Sequence, residues 1–149
     1  MRINEDYQTW NVATEMGDPS SVLSFYKNAL KLRKSNTIFV RHFTNAWWLV
    51  KKSSCIHQTY GEFRDISNNH PQIFGYLRVL GDVRALILLN FKEVSVSFNI
   101  QDVEDLDAYT LVLSNYDGMN PDNGKLQAAD IVLRGYEGRV YLKKWRVPY

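Results

Sequence analysis

The sequence predicts a mostly β fold: an antiparallel β-sandwich or Greek-key sheet preceded by one amphipathic α-helix. Three observations predict it. From residue 59 onward apolar residues recur at about every second position, the strand period. Short polar turn signals separate these runs. Aromatic residues make up 13% of the chain, a bias toward pleated, packed surfaces.

Composition sets the outer bounds. A chain of 149 residues is one ordinary domain, or one small domain with an extra element, and is too short for a complete α/β barrel of roughly 250 residues. With 45% apolar and 23% charged residues it has the balance of a globular chain. The single cysteine, Cys55, excludes a disulfide framework and a cysteine zinc site. A net charge of +2 gives no argument for a nucleic-acid partner. Neither end carries a secretory, membrane-spanning or lipidation signal, so the expected location is the cytoplasm, with no membrane partner.

The elements follow in order. Residues 1–17 are polar and read as irregular. A helix is expected over 19–34, with Asp18 as N-cap and Pro19 at the first helical position. Val22, Phe25, Tyr26, Ala29 and Leu30 fall on one face, and Lys31, Arg33 and Lys34 complement the helix dipole in the last turn. Strands are expected over 59–66, 72–80, 83–91, 94–100, 109–116, 130–136 and 138–145. Gly75 marks a bulge within the second, and Gly81-Asp82 is a two-residue turn. The most apolar run, 83–91, should be the central of three consecutive antiparallel strands over 72–100. Lys92-Glu93 turns into 94–100, where Val94, Val96, Phe98 and Ile100 share a face; 117–125 is loop; and 130–136 and 138–145 read as a final hairpin.

Chemistry-bearing motifs are sparse. His42, His57 and His70 lack ligand spacing and read as surface or turn residues. The acidic group Asp102, Glu104, Asp105 and Asp107 lacks the spacing and terminal glutamate of a calcium loop, and reads as a solvated connection. Glu5 and Asp6 stand in no context that would raise a carboxyl pKa. Tyr60, Phe63, Phe74, Tyr76 and Phe91 admit a sugar-stacking platform, but their placement favours core or cross-strand packing. The residues themselves name no reaction.

Several stretches carry a resemblance. MRINEDYQTWNVA (1–13), DPSSV (18–22) and FYKNALKLRK (25–34) resemble the closing barrel segment of fungal maltases and oligo-1,6-glucosidases. QIFGYLR (72–78), LILLNF (86–91), LSNY (113–116) and LRGYEGRVYL (133–142) continue the match, the last resembling that family's closing strand. The resemblance implies that residues 1–36 are the end of a (β/α)8 barrel with its last helix. Residues 59–149 would be domain C, the antiparallel Greek-key domain of glycoside hydrolase family 13. Full-length members are retaining α-glucosidases acting on maltose- or isomaltose-like oligosaccharides. They use a nucleophilic Asp and an acid/base Glu carried by barrel segments that match nothing in this chain. The resemblance therefore implies no catalytic, substrate-binding or metal residue here, no cofactor, and an inert chain. An α-glucoside would be a partner only of the full-length enzyme, and the barrel a partner in cis.

Residues 40–58 interrupt the match. Joining Phe39 to Thr59 restores the family pattern, and the segment holds Trp47, Trp48, Cys55, three basic residues and no acid. A translated intron is the favoured reading; a genuine loop insertion and an amphipathic partner- or membrane-binding element are the alternatives. For the chain as a whole, a free-standing β-sandwich carbohydrate-binding module is the rival, with a scaffold domain a third reading.

Overall fold

A computed structural model describes residues 5–39, 62–67, 69–101, 103–116, 124–126 and 129–144. The segment 40–58, the start of the strand expected from residue 59, and most of the 117–125 loop lie outside the described residues.

The N-terminal part is more ordered than its polarity suggests. A 3₁₀ turn (Glu5–Gln8) leads into a six-residue helix, α1 (Val12–Gly17), where irregular chain was expected. Asn11 starts it, its Oδ1 accepting from Thr14 N at 2.9 Å. The long helix, α2 (Val22–Ser35), begins three residues later than expected. Asp18 does not cap it. Its Oδ1 accepts from Ser20 N at 2.8 Å and Ser20 Oγ at 2.7 Å, closing a turn that holds Pro19 outside the helix. Ser21 takes the N-cap, accepting from Ser24 N at 3.2 Å. Glu15 reaches over from α1 and accepts from Leu23 N at 3.1 Å, placing a carboxylate at the positive end of α2.

Seven strands follow: β1 (Glu62–Asp65), β2 (Ile73–Leu80), β3 (Val83–Asn90), β4 (Val96–Asn99), β5 (Thr110–Ser114), β6 (Asp130–Leu133) and β7 (Gly138–Lys144). They form two antiparallel sheets, one of order β1-β2-β3-β7-β5 and one pairing β4 with β6. The mostly β sandwich predicted from the sequence is therefore present, with β3 at the centre of the large sheet. The two-residue turn between β2 and β3 places Gly81 at φ 55°, a backbone region that favours glycine.

The core lies between the sheets. Leu77, Leu86, Leu88, Leu111 and Tyr141 from the large sheet meet Phe98, Ile131 and Leu133 from the small one. A second layer covers the outer face of the large sheet, where Ile38, at 1% exposure, packs with Ala85, Ile87 and Leu142, flanked by Leu32 of α2.

Three expectations need correction. Gly75 is not a bulge: it pairs in register with Leu88, and a Cβ there would lie 3.1 Å from Leu88 and 3.2 Å from Ile66 side-chain carbons. The register irregularity falls in β5, between Leu111 and Leu113. The strands over 72–100 do not form one meander, because β4 leaves the large sheet to pair with β6; of its expected apolar face, Phe98 and Ile100 are buried and Val94 is exposed. Nor are β6 and β7 a hairpin, since β6 belongs to the small sheet and β7 lies between β3 and β5.

The turn between β6 and β7 is a corner that carries the chain from sheet to sheet. Tyr136 stands at φ 54°, and its N–H donates to Lys92 O at 2.8 Å. Gly135 packs so closely on the preceding corner that a Cβ would fall 1.8 Å from Glu93 O. Asn90 joins the two corners by donating to Val94 O and Arg134 O, both at 2.8 Å.

Candidate functional site

Glycoside hydrolysis by the retaining route needs two carboxyl groups facing one pocket, so the placement of the carboxylates bears on any such chemistry. Glu137 is the buried one among the described residues, at 1% exposure, and it is fully engaged. Its Oε1 accepts from Arg139 Nε at 2.8 Å and its Oε2 from Arg139 Nη2 at 3.0 Å and from Arg134 N at 2.7 Å. Burial acts to lower the Arg139 pKa, but hydrogen bonds to Glu137 and Tyr141 outweigh it and hold the guanidinium above its usual value. The pair is a structural tie with no free acid to offer.

The acidic group places Glu104, Asp105 and Asp107 on the connection before β5, while Asp102 lies outside the described residues. Asp105 reaches Lys143 Nζ at 2.7 Å. That contact has a cause in the sheet register. Arg84 and Lys143 stand directly opposite on β3 and β7, an unfavourable juxtaposition of like charges, and Asp105 offsets it. Asp105 and Asp107 both line an open groove of about 1110 Å³ between α2 and β5, alongside Lys125 and Lys143. The Asp105 carboxylate is thus engaged by the Lys143 ammonium at the edge of this groove.

Of the histidines, His70 closes the turn before β2, its Nδ1 accepting from Ile73 N at 3.1 Å and its ring edge-on to Phe98; His42 and His57 lie outside the described residues. Glu5 and Asp6 sit exposed on the first 3₁₀ turn. Among the described residues no group of three His, Cys, Asp or Glu side chains could hold a metal, and no helix is long and apolar enough to cross a membrane. The aromatic set is partly assembled: Phe63 and Phe74 each contact Tyr76, with centroids 5.2 and 5.4 Å apart. Phe91 is exposed, and Tyr60 lies outside the described residues.

The feature that calls for a function is a surface. The four-residue spacing of Val22, Tyr26 and Leu30 reads in sequence as part of one apolar face of α2. In the structure these side chains are 61%, 62% and 50% exposed. Met16 of α1 and Trp10 just before it are also more than half exposed. The opposite side of α2, through Leu32, makes its link to the large sheet. An apolar helix stripe left in solvent marks an interaction face. Beside it, α2 carries Lys27, Lys31, Arg33 and Lys34 and no acid. Sequence periodicity found this stripe as one face of an amphipathic helix, but periodicity cannot say what covers an apolar face.

No family model matches the chain. An oligo-1,6-glucosidase of Parageobacillus thermoglucosidasius is 31% identical over 146 residues, 98% of this chain and 22% of that protein. An α-glucosidase of Schizosaccharomyces pombe is 32% identical over 116 residues, 78% of this chain and 17% of that protein. These relatives are oligo-1,6-glucosidases and α-glucosidases. The chain spans about a fifth of their length. Bacterial sequences stand among them, so the fungal restriction expected from the resemblance is not supported. Solved structures share the fold. The trehalose-6-phosphate hydrolase of Bacillus licheniformis superposes with a TM-score of 0.69 at 22% identity, over 95% of this chain and 22% of that one. The isomaltulose synthase of Klebsiella sp. LX3 gives 0.70 at 23% identity, over 95% and 21%.

Proposed function

We propose that this chain is the counterpart of the closing segment of a retaining α-glucosidase of glycoside hydrolase family 13. Residues 1–36 correspond to the end of the (β/α)8 barrel and 59–149 to domain C, a structural domain that packs on the barrel. Residues 40–58, outside the described residues, are read as an insertion between the two. When joined to a catalytic barrel, the assembly hydrolyses terminal α-glucosidic bonds of maltose- or isomaltose-like oligosaccharides in the cytoplasm. The chain by itself is inert.

The observation that carries this reading is the exposed stripe Val22, Tyr26 and Leu30. A last barrel helix would turn such a stripe onto barrel strands. Two of the carboxylates, Glu137 and Asp105, are engaged in ion pairs with Arg139 and Lys143.

The test is an activity assay of the purified chain against maltose, isomaltose and an aryl α-glucoside. No turnover above buffer is expected. Turnover that disappears on replacing one Asp or Glu of this chain would overturn the proposal.

A further inference from the structure

β1 ends the large sheet, and all four of its residues are exposed. Among the described residues it pairs on one side, with β2. Ile66, directly after it, donates its N–H to Gly75 O at 2.9 Å, continuing the β1–β2 register. Hydrogen-bonding direction alternates along an antiparallel strand. Glu62 and Arg64 therefore turn their backbone groups toward β2, and Phe63 and Asp65 turn theirs to the open edge. The Phe63 ring is 56% exposed and lies against Tyr76. On the opposite face Arg64 Nε and Nη2 donate to the two carboxylate oxygens of Glu62, at 2.7 and 3.2 Å.

We propose that β1 pairs antiparallel with β1 of a second copy of this chain, about a two-fold axis through Phe63. The strand itself selects this register. Residues whose backbone faces the edge must meet residues of the same kind, so the axis passes through a residue and not between two. An axis through Glu62 sets that carboxylate against its own copy, and one through Arg64 sets two guanidiniums together; both are unfavourable. An axis through Phe63 sets Glu62 opposite the partner's Arg64, twice over. The two Phe63 residues then exchange N–H···O=C bonds, and their rings meet on the other face. The Glu62–Arg64 pair within each chain is kept, as half of a ring of four alternating charges. Charges on an edge strand repel foreign strands; these accept a copy of themselves. The contact joins two five-stranded sheets into one. Four residues a side is far fewer than the roughly 20–30 of a standard interface, so the pairing is weak and reversible. It uses no residue of α2 and does not rest on the docking of that helix to a barrel.

The experiment is sedimentation velocity of the full chain over a concentration series from roughly 10 μM to 1 mM, the range of a weak contact. The parent should sediment as a monomer–dimer equilibrium that dissociates as salt is raised. Glu62→Arg and Arg64→Glu each set like charges opposite one another at two points, and each should weaken dimerisation roughly tenfold or more. An equimolar mixture of these two variants restores opposite charges at both points and should dimerise as the parent does. Phe63→Pro deletes the two edge donors at a position where an edge strand tolerates proline, and should be monomeric. A parent that stays monomeric at the highest concentration would overturn the proposal. So would a dimer that survives either charge reversal, or a mixture that stays monomeric. A dimer abolished by Tyr26→Ser but unchanged by Glu62→Arg would place the contact on α2, and would overturn it as well.

Discussion

Glu137 and Arg139, two residues apart on the inner face where β7 begins, form a bidentate ion pair at 2.8 and 3.0 Å with both residues buried. The pair does more than neutralise itself. Glu137 also accepts from Arg134 N at 2.7 Å, and Arg139 Nη2 donates to Val132 O at 3.1 Å. Both ions thereby hold the backbone of the corner that joins the two sheets.

Breaking one member should therefore cost more than a surface pair would. Glu137→Ala leaves a buried guanidinium without its partner and removes an acceptor from Arg134 N. The expected loss is about 3–5 kcal/mol of unfolding free energy. Urea denaturation of parent and variant checks it; a loss near that of an exposed pair such as Glu62–Arg64 would contradict the role assigned to the corner.

Tyr109 presents the opposite case. The residue is fully buried, and its hydroxyl meets no hydrogen-bond partner among the described residues. Burial pushes its pKa up, opposed by Arg84 and reinforced by Asp105. Tyr109→Phe keeps the ring and deletes the unsatisfied group. The unfolding free energy should stay level or rise by about 1 kcal/mol; a fall of that size in the same denaturation experiment would mean the hydroxyl does hold a partner.

Asp65 gives a pH-dependent prediction. Hydrogen bonds from the Ser67 hydroxyl and then the Ser67 N–H favour its ionised form and hold its pKa below the usual carboxylate value. A depressed folded-state pKa contributes stability above the unfolded-state value, and that contribution is lost as pH falls through the folded-state value. Ser67→Ala should shift the Asp65 titration upward, seen by NMR of its side-chain carboxyl carbon. The stability difference between parent and variant should shrink once the pH is below the lowered pKa. An unchanged Asp65 titration in the variant would remove Ser67 as the cause.

Much of the fold was readable from the sequence because strand periodicity is local. The seven strands lie within a few residues of their expected bounds, and Gly81-Asp82 turns as its composition requires. The failures share one physical origin: they depend on what a residue meets far along the chain. Tyr136–Gly138 reads as the turn of a hairpin, yet the neighbouring Gly135 is required by contact with Glu93, and the two strands part into different sheets. Asp18 and Pro19 look like a helix start, yet Asp18 spends its carboxylate on Ser20. Six residues are too few for periodicity to reveal α1, whose signal is the Asn11 cap. At the candidate site, sequence located the apolar stripe of α2 and the aromatic pattern of β1 and β2. Their exposure follows from which neighbours are present.

That exposure is the central claim, and the fluorescence of a hydrophobic dye such as 1-anilinonaphthalene-8-sulfonate tests it most directly. The dye should bind the native chain. The triple variant Val22→Ser, Tyr26→Ser, Leu30→Ser should lose most of that signal while its urea midpoint shifts only slightly, because these side chains touch solvent. A midpoint that collapses in the variant would show that the stripe is core. Undiminished dye binding would show that the apolar surface lies elsewhere, and either result would contradict the docking account.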